Sequence, residues 1–232
     1  MLNFIRWILF CVIATSVSLL LLFFAIPFLL LRCDKVVKLF SFSWAKTFII
    51  IGRVICGIKT VVEGGDVLPS NKKFILASKH LSMWETVFFY QYFNGAVFVL
   101  KKEIFKIPFT SHIARSLGMI SIDRSKGVSA ITKIMNEIKN SVSLPLIIFP
   151  QGTRVRQLNK DYSLSKYPYK KGVVAMSKES QLPVYLVSHN ASDFWGRGGF
   201  SFKKSGTITL RFHDFGLILK DNSDIEKISD II

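Results

Sequence analysis

The sequence is poor in cysteine and in acidic residues. Among its 232 residues there are 3 cysteines, and 15 acidic residues stand against 31 lysines and arginines, a formal net charge of +16. The odd number and scattered positions of Cys11, Cys33 and Cys56 argue against a disulfide framework. Their spacing is not that of a metal site, so no metal is implied. A chain of this length holds one domain with a sizeable core, and a second full domain would be cramped.

The excess of positive charge limits the class of partner. A basic surface attracts anionic lipid headgroups, phosphorylated substrates, acidic carrier proteins or nucleic acid. The sequence resembles no nucleic-acid-binding module, and a long apolar segment lies beside the first basic residues. We therefore expect anionic membrane lipids as partners and no nucleic acid.

Charge is missing altogether from residues 7–31, where Leu, Ile, Val and Phe dominate. A bilayer-spanning helix needs ~20 apolar residues, so this segment predicts one transmembrane or monotopic helix. A signal peptide is the third alternative, but its apolar core is about 7–15 residues long and ends at a small-residue cleavage site. Arg32, Lys35 and Lys38 follow the segment whereas Arg6 precedes it, which favours a cytoplasmic location for the rest of the chain.

A second apolar stretch, residues 39–58, contains Lys46 and Arg53. Charges at the centre of a bilayer are costly, so the stretch predicts a helix lying at the membrane interface. A partly buried helix of the folded domain fits the pattern equally well. We therefore divide the chain into an N-terminal membrane anchor, residues 1–58, and a cytoplasmic domain, residues 59–232.

Beyond residue 60, short apolar strands alternate with helical segments. Strands are predicted at 74–77, 96–100, 119–122, 146–149, 184–187 and 207–212. Helices are predicted at 84–93, around 114–117, at 128–139, 173–178 and 222–232. This alternation predicts an α/β fold with a mostly parallel sheet flanked by helices, preceded by the N-terminal membrane-anchoring helical segment.

Residues 78–86, Ser-Lys-His-Leu-Ser-Met-Trp-Glu-Thr, carry the most chemical information. They join a predicted strand to a helix, where open α/β sheets place their ligands. His80 is suited to act as a general base, with Glu85 holding the imidazole. Five residues turn ~140° on a regular helix, so the two side chains pair only if His80 precedes the helix. The alternative is structural, because Ser82 and Glu85 fit a capping box with Ser82 as N-cap.

Two further strand ends present cations. In residues 149–154, Phe-Pro-Gln-Gly-Thr-Arg, a glycine turn precedes a hydroxyl and a guanidinium, and Arg is suited to bidentate phosphate binding. An ordinary turn with an exposed Arg154 is the alternative. Residues 118–124, Gly-Met-Ile-Ser-Ile-Asp-Arg, also end in a charged pair, whose Arg124 faces either a phosphate or solvent. Lys101 adds a cation in the same half of the domain.

The order of these segments resembles the glycerolipid acyltransferases. A His-x4-acid motif, a Gly-x-x-x-Ile-Asp-Arg segment, a Phe-Pro-x-Gly-Thr-Arg segment and a Leu-Pro-Val strand follow one another, and the likeness is greatest to bacterial 1-acylglycerol-3-phosphate acyltransferases. The resemblance implies transfer of a fatty acyl group from acyl-CoA or acyl carrier protein to the sn-2 hydroxyl of lysophosphatidic acid. Phosphatidic acid would form in phospholipid biosynthesis, at a bacterial inner membrane.

The resemblance also implies roles for individual residues. His80 would remove the proton from the acceptor hydroxyl, and Glu85 would orient and charge-stabilise the imidazole, with no covalent acyl-enzyme. The acyl chain would lie in an apolar groove opening toward the anchor. No bound cofactor is implied, since the thioester is a substrate. The acceptor phosphate would be held by Arg154, Arg124 and Lys101, in a pocket shaped by Gly152 and Thr153, whose backbone N–H groups would also serve the oxyanion.

The chain departs from the family pattern at two positions. Glu85 stands where the family usually has Asp, and the extra methylene lengthens its reach by ~1.5 Å without changing its charge, so we expect activity. Gln151 stands where Glu is usual; it keeps hydrogen-bonding capacity and loses the charge, and we expect it to bind substrate. Two other functions fit the pattern: an acyltransferase for a different lysolipid or an amino-lipid, and a non-catalytic membrane lipid-binding protein.

Overall fold

The structure is a computed structural model that describes residues 1–70, 73–123, 132, 134, 145–155, 166–221 and 223–232. Two of the predictions fall wholly or largely outside the described residues. These are the phosphate contact assigned to Arg124 and the helix expected at 128–139.

The N-terminal apolar segments form a helical hairpin. Helix α1 (Leu2–Leu30) and helix α2 (Asp34–Cys56) are joined by three residues and pack against each other. Both are long and apolar enough to cross a membrane, by length and composition. Helix α2 begins five residues before the predicted start, and it ends where Gly57 adopts a left-handed conformation (φ 68°), which glycine does without steric cost.

The described part of the chain contains one sheet of seven strands in the order β1-β7-β6-β2-β5-β3-β4. The strands are β1 (Ile58–Glu63), β2 (Ile75–Ser78), β3 (Val97–Lys101), β4 (Ile120–Ile122), β5 (Leu146–Ile148), β6 (Val184–His189) and β7 (Gly206–Leu217). All neighbours are parallel except β6 and β7. The predicted mostly parallel α/β sheet is confirmed, whereas β1 and the antiparallel pair were not predicted.

Helices cover both faces of the sheet. After the hairpin, the helices of the described residues are α3 (Trp84–Tyr92), α4 (Thr110–Ser116), α5 (Gly172–Ser180) and α6 (Ser223–Ile231), with 3-10 turns at Gly65–Val67, Lys102–Lys106 and Ala191–Asp193. In β2, Leu76 packs into the core with the hairpin and α3, whereas Ile75 and Ala77 face the core that contains α5 and α6. Such alternation is expected of a strand buried on both faces.

Helix α2 packs against the α/β part of the molecule. Its buried Phe48 contacts the ring of Trp195 at 5.4 Å between centroids, and both belong to the same core as Leu76 of the sheet. A helix can satisfy this packing and also touch a membrane with its outer face, so both interpretations of residues 39–58 are compatible with the contacts. The boundary at residue 58 stays a prediction, because the two parts share one core.

Candidate active site

The carboxyl ends of β2, β5, β6 and β3 meet at one edge of the sheet, because these strands run parallel. His80 follows β2 and precedes α3, which begins at Trp84. The condition for pairing is therefore met, and His80 Nδ1 lies 2.8 Å from Glu85 Oε1. The imidazole is 16% exposed and the carboxylate is fully buried. We call residues 80–85 the dyad segment.

The Glu85 carboxylate is held by hydrogen bonds on both oxygens. Oε1 accepts from the backbone N–H groups of Leu81 and Ser82, each at 2.9 Å, and Oε2 accepts from the Ser82 hydroxyl at 2.6 Å. Burial by itself raises the pKa of this carboxyl, but the His80 hydrogen bond, the two nearby histidines and the Ser82 hydroxyl together hold the pKa below its ordinary value. The group is therefore a carboxylate at neutral pH.

The pairing with His80 and the capping interaction occur together. The Glu85 carboxylate accepts from the Ser82 N–H as in a capping box, and the Ser82 hydroxyl accepts from the Trp84 N–H at 3.0 Å. The N-cap residue is Met83, one position later than predicted. The helix start thus fixes the same carboxylate that positions the imidazole.

Aromatic and backbone contacts hold the His80 ring and its loop. The ring stacks on Phe149 with centroids 4.0 Å apart and planes inclined by 18°. The His80 carbonyl accepts from the Val155 N–H at 2.8 Å. Behind the loop, His189 Nδ1 accepts from the Ala191 N–H, so its Nε2 carries the proton that is donated to the Lys79 carbonyl at 3.1 Å. Burial lowers the pKa of His189, and it is neutral at pH 7.

The loop after β5, which contains Gln151, turns at Gly152 and brings Arg154 beside the dyad segment. Gly152 has φ 68°, where a side chain is strained, and its N–H donates to the Phe149 carbonyl at 2.8 Å. That N–H is engaged in the turn, which weakens the expectation that it serves an oxyanion, while the half-buried Thr153 follows it. We call residues 151–154 the arginine turn.

Two polar atoms of the arginine turn are buried and have no hydrogen-bond partner among the described residues. They are Oε1 of Gln151 and Nε of Arg154. The other end of the Gln151 amide donates from Nε2 to the Tyr167 carbonyl at 3.0 Å. Burial lowers the pKa of Arg154 while Glu85 opposes this, so the guanidinium lies within the electrostatic reach of the dyad. It is not the exposed arginine of an ordinary turn.

An apolar cavity of about 500 Å³ begins at this point and runs between the hairpin and α3, α4 and β3. Met83, Thr86 and Arg154 line it beside the dyad segment, and its apolar wall includes Leu21, Ala25, Trp44, Val87, Phe98 and Ile113. Thr86 Oγ1 is also buried without a partner among the described residues. The cavity lies between the hairpin and the candidate site, where the family resemblance implies an apolar groove for the acyl chain.

Not every expected residue is brought to the site. Lys101 is exposed at the carboxyl end of β3, two strands away from β2, and makes no hydrogen bond or ion pair with the described residues of the site. Its neighbour Lys102 pairs with Asp123 at 2.7 Å. Arg124, the next residue, lies outside the described part of the chain.

Two residues near the site were missed by the sequence analysis. Thr86 follows Glu85 directly, and its position in the quoted motif was the available signal. Arg197 lies in the loop after Trp195, and its charge adds to burial in lowering the pKa of Arg154. No local pattern identifies Arg197, because its approach depends on the packing of residues more than forty positions apart in the sequence.

Comparisons with known proteins show the family of the chain. The family model described as Acyltransferase matches residues 59–190. The 1-acyl-sn-glycerol-3-phosphate acyltransferase of Pseudomonas aeruginosa is 32% identical over 172 residues, covering 72% of this chain and 63% of that protein. The protein of the same name from Limnanthes douglasii is 30% identical over 183 residues, covering 77% and 61%. The matched region thus spans less than two thirds of the length of these relatives.

A solved structure shares the fold. The crystal structure of the 1-acyl-sn-glycerophosphate acyltransferase from Thermotoga maritima superposes with a TM-score of 0.72 at 21% identity, covering 98% of this chain and 93% of that one. Because the superposition covers nearly the whole chain, the N-terminal hairpin belongs to the shared fold.

Proposed function

We propose, since the chain belongs to the acyltransferase family, that it transfers a fatty acyl group from a thioester to the sn-2 hydroxyl of 1-acylglycerol 3-phosphate. The observation that carries this proposal is the 2.8 Å hydrogen bond between His80 and the buried carboxylate of Glu85, beside an apolar cavity with Arg154 in its wall. The names of the relatives support the choice of acceptor. The product is phosphatidic acid, an intermediate of phospholipid biosynthesis.

The dyad supplies the base. Because Nδ1 of His80 donates to Glu85, Nε2 carries the lone pair and takes the proton of the acceptor hydroxyl as its oxygen attacks the thioester carbonyl. Glu85 stabilises the imidazolium that forms. When the tetrahedral intermediate collapses, the carbon–sulfur bond breaks and the thiolate leaves, and the proton passes from His80 to the sulfur. The hydroxyl of the acceptor is the nucleophile, so no acyl-enzyme forms.

The arginine turn binds the acceptor. The unpartnered Nε of Arg154 and the rest of its guanidinium donate to phosphate oxygens, which satisfies the buried donor. Oε1 of Gln151 accepts from a hydroxyl of the acceptor for the same reason. The family resemblance also implies Arg124 as a phosphate ligand, whereas Lys101, exposed two strands away from β2, is left out of the proposed site.

The donor is an acyl thioester, acyl-CoA or acyl carrier protein, and its acyl chain enters the apolar cavity. The cavity is lined by aliphatic and aromatic side chains of the hairpin, α3 and α4. Its polar end at Thr86 and Arg154 lies beside the dyad, which supports binding of the thioester carbonyl within reach of the attacking hydroxyl.

The hairpin attaches the chain to the membrane, with the α/β part on the cytoplasmic side of a bacterial inner membrane. Trp7 Nε1 donates to the Phe200 carbonyl at 2.9 Å, and the Ser116 hydroxyl donates to Asp34 Oδ1 at 2.8 Å. The hairpin is thus held to the α/β part near both of its ends, which supports a monotopic attachment lying along the membrane. The basic residues after the first apolar segment support the cytoplasmic side.

The test is thiol release from a long-chain acyl thioester by the purified chain, with and without lysophosphatidic acid. We expect release that requires the acceptor and that falls by about 10³-fold or more in His80→Ala, as for removal of a general base held by a carboxylate. His112→Ala is the matched control, since His112 lies on α4 outside the dyad, and it retains the wild-type rate. The proposal is contradicted if wild type and His80→Ala release thiol at equal rates. It is also contradicted if the rate of thiol release does not depend on any lysolipid.

A further inference from the structure

The loop after Trp195 exposes two aromatic side chains. Residues 196–204, Gly-Arg-Gly-Gly-Phe-Ser-Phe-Lys-Lys, are here called the aromatic loop. Phe200 and Phe202 lie on it two positions apart and are 53% and 50% exposed. Arg197 and Lys204, also exposed, lie at its two ends. A contiguous exposed apolar patch with a polar rim marks an interaction site, and two phenylalanines flanked by cations on one short loop fit that description.

The aromatic loop is a rigid element. Trp195, the residue before the loop, forms an isolated antiparallel bridge with Lys203. The Lys203 ammonium is buried, donates to the carbonyls of Gly199 and Ser201 at 2.8 Å each, and lies 4.1 Å from the ring centre of Phe10. The turn inside is closed by the Gly198 N–H, which donates to the Ser201 hydroxyl at 2.7 Å. The loop is therefore not free to fold its phenylalanines back onto the protein.

The exposed side of the loop continues the exposed face of α1. Trp7 of α1 donates to the Phe200 carbonyl, and its ring lies 5.9 Å from that of Phe202 and 5.5 Å from that of Phe4. Phe4 and Ile5 are themselves each 53% exposed. One apolar surface thus extends from the first turns of the helix that the proposed function places in the membrane onto the loop.

The inner side of the loop packs against the candidate active site. A Cβ added at Gly199 would lie 2.8 Å from the sulfur of Met83, so the backbone of the loop closely approaches this side chain of the dyad segment. Arg197 acts electrostatically on Arg154 of the arginine turn. The aromatic loop therefore fixes the distance between His80 and any surface that covers the two phenylalanines.

We propose that the aromatic loop is a second membrane contact, in which Phe200 and Phe202 enter the apolar part of a lipid bilayer and Arg197 and Lys204 face anionic headgroups. The bilayer is favoured over a protein partner because the surface is continuous with the exposed apolar face of α1 and its edges are cationic. The contact holds the dyad at the bilayer surface, where a lysolipid resides. This last consequence rests on the proposed function, but the contact itself does not.

The test places an environment-sensitive NBD fluorophore on the loop of the full chain. Phe200→Cys, and as a matched control Leu217→Cys, are made with the three native cysteines replaced, and each protein is reconstituted in vesicles of phosphatidylethanolamine and phosphatidylglycerol. Leu217 is 48% exposed at the opposite edge of the sheet, paired with Val184 where β6 begins. We expect a blue shift and quenching by spin-labelled lipid for the probe at 200, and neither for the probe at 217.

The measurement needs no turnover, so repeating it with His80→Ala separates this proposal from the proposed function. The same signal in that variant supports the contact even if no acyl transfer is found. A probe at 200 that responds no more to lipid than the probe at 217, in variants whose circular dichroism matches wild type, overturns the proposal. A response to an acidic acyl carrier protein but not to lipid overturns it as well and assigns the loop to protein docking.

Discussion

The two halves of the candidate active site differ in how far their polar groups are satisfied. In the dyad segment, both oxygens of Glu85 accept hydrogen bonds, one of them from His80. In the arginine turn, Oε1 of Gln151 and Nε of Arg154 are buried without hydrogen-bond partners among the described residues. One half is complete in the free protein, and the other carries polar atoms that a ligand can satisfy.

This difference follows from what each half does. A general base must be held in one orientation before substrate arrives, and the hydrogen bonds to Glu85 provide that. A group that binds an anionic acceptor gains more if it has no competing partner in the free protein. Leaving a buried polar group unpaired costs about 1–3 kcal/mol, so the arginine turn is destabilising until it is occupied. Removing a satisfied group such as Glu85 and removing an unpaired group such as the Arg154 guanidinium should therefore have effects of opposite sign on stability.

The largest effect is expected from Glu85→Gln, which breaks the complete half. The amide keeps the shape of the side chain, but its NH2 group faces N–H and O–H groups that donate hydrogen bonds to the carboxylate. The substitution also removes the charge that stabilises the imidazolium. We expect kcat to fall by about 10³- to 10⁴-fold, the range seen when a triad carboxylate is made an amide. Stability should fall too. The exposed Glu103→Gln is the control, and similar kcat values in the two variants would show that the carboxylate has no catalytic part.

The same carboxylate makes the free energy of unfolding depend on pH in the acidic range. The pKa of Glu85 is lowered in the folded state, so its contribution to the free energy of unfolding is present above the unfolded pKa and is lost as pH falls through the folded pKa. Glu85→Gln removes this group from the titration. Urea unfolding at several acidic pH values should therefore show a shallower loss of stability in the variant.

The next effect in size is expected from Arg154→Met, which changes the incomplete half. A charged hydrogen bond contributes about 1.5–3 kcal/mol, so the KM for lysophosphatidic acid should rise by about 10- to 150-fold. The KM for the thioester should change little. Because a half-buried cation without a partner on Nε is removed, the melting temperature should stay level or rise.

Arg211→Met is the matched control for this variant. Arg211 is exposed and pairs with Glu63 on β1 at 2.7 Å, away from the arginine turn. It should leave both KM values within about twofold, since exposed ion pairs contribute ~0–1 kcal/mol. A fall in melting temperature of Arg154→Met, with an unchanged KM, would show that Arg154 is a structural residue and not a ligand for phosphate.

The sequence predicts the complete half better than the incomplete one. His80 and Glu85 are five positions apart, so local geometry alone states the condition for their pairing, and the helix start at Trp84 meets it. The fully buried carboxylate and its several donors could not be predicted, because the spacing fits a capping box as well as a dyad. Both interactions use the oxygens of the same carboxylate, and treating the capping box and the dyad as alternatives does not predict that they occur together.

Features that depend on distant segments were not predictable. Strand β1 follows α2 with only Gly57 between them, and its partner β7 lies more than a hundred residues further along. The β6–β7 pair is antiparallel although short parallel strands precede it, and the sequence carries no signal for that reversal. The contact of Gln151 with the Tyr167 carbonyl depends in the same way on how the chain returns to the site.

A smaller effect is expected from Gln151→Glu, which restores the residue usual in the family. Nε2 of Gln151 donates to the Tyr167 carbonyl, and a carboxylate cannot make that bond. We expect a loss of about 1–2 kcal/mol in the free energy of unfolding at neutral pH. A protonated Glu can donate, so the folded state raises its pKa. The variant should therefore match wild type at acidic pH and lose stability as pH rises through the folded pKa.

Gln181→Glu controls for the loss of an amide donor. Gln181 Nε2 donates to the Lys178 carbonyl at 2.7 Å, but the side chain is exposed, so water replaces the bond. Urea unfolding of both variants between acidic and neutral pH measures the difference. If Gln151→Glu is as stable as Gln181→Glu at every pH, the Tyr167 contact does not explain why this chain has Gln at that position.

The smallest effect is expected from Thr86→Val, which asks whether the difference between the two halves extends into the cavity. Thr86 belongs by sequence to the dyad segment's helix, yet its hydroxyl is buried at the cavity wall without a partner among the described residues, like the groups of the arginine turn. Valine has nearly the same shape and removes the hydroxyl, so the melting temperature should stay level or rise.

If the hydroxyl binds the thioester carbonyl, as its place beside Arg154 suggests, kcat/KM for the thioester should fall by about 2- to 10-fold, the value of one neutral hydrogen bond. Thr86→Ser keeps the hydroxyl and should restore most of that loss while costing stability through the missing methyl group. A fall in kcat/KM that is larger in Thr86→Ser than in Thr86→Val would show that packing, not hydrogen bonding, matters at this position. The difference between satisfied and unpaired polar groups would then hold for Glu85 and Arg154, but it would not extend to the cavity wall.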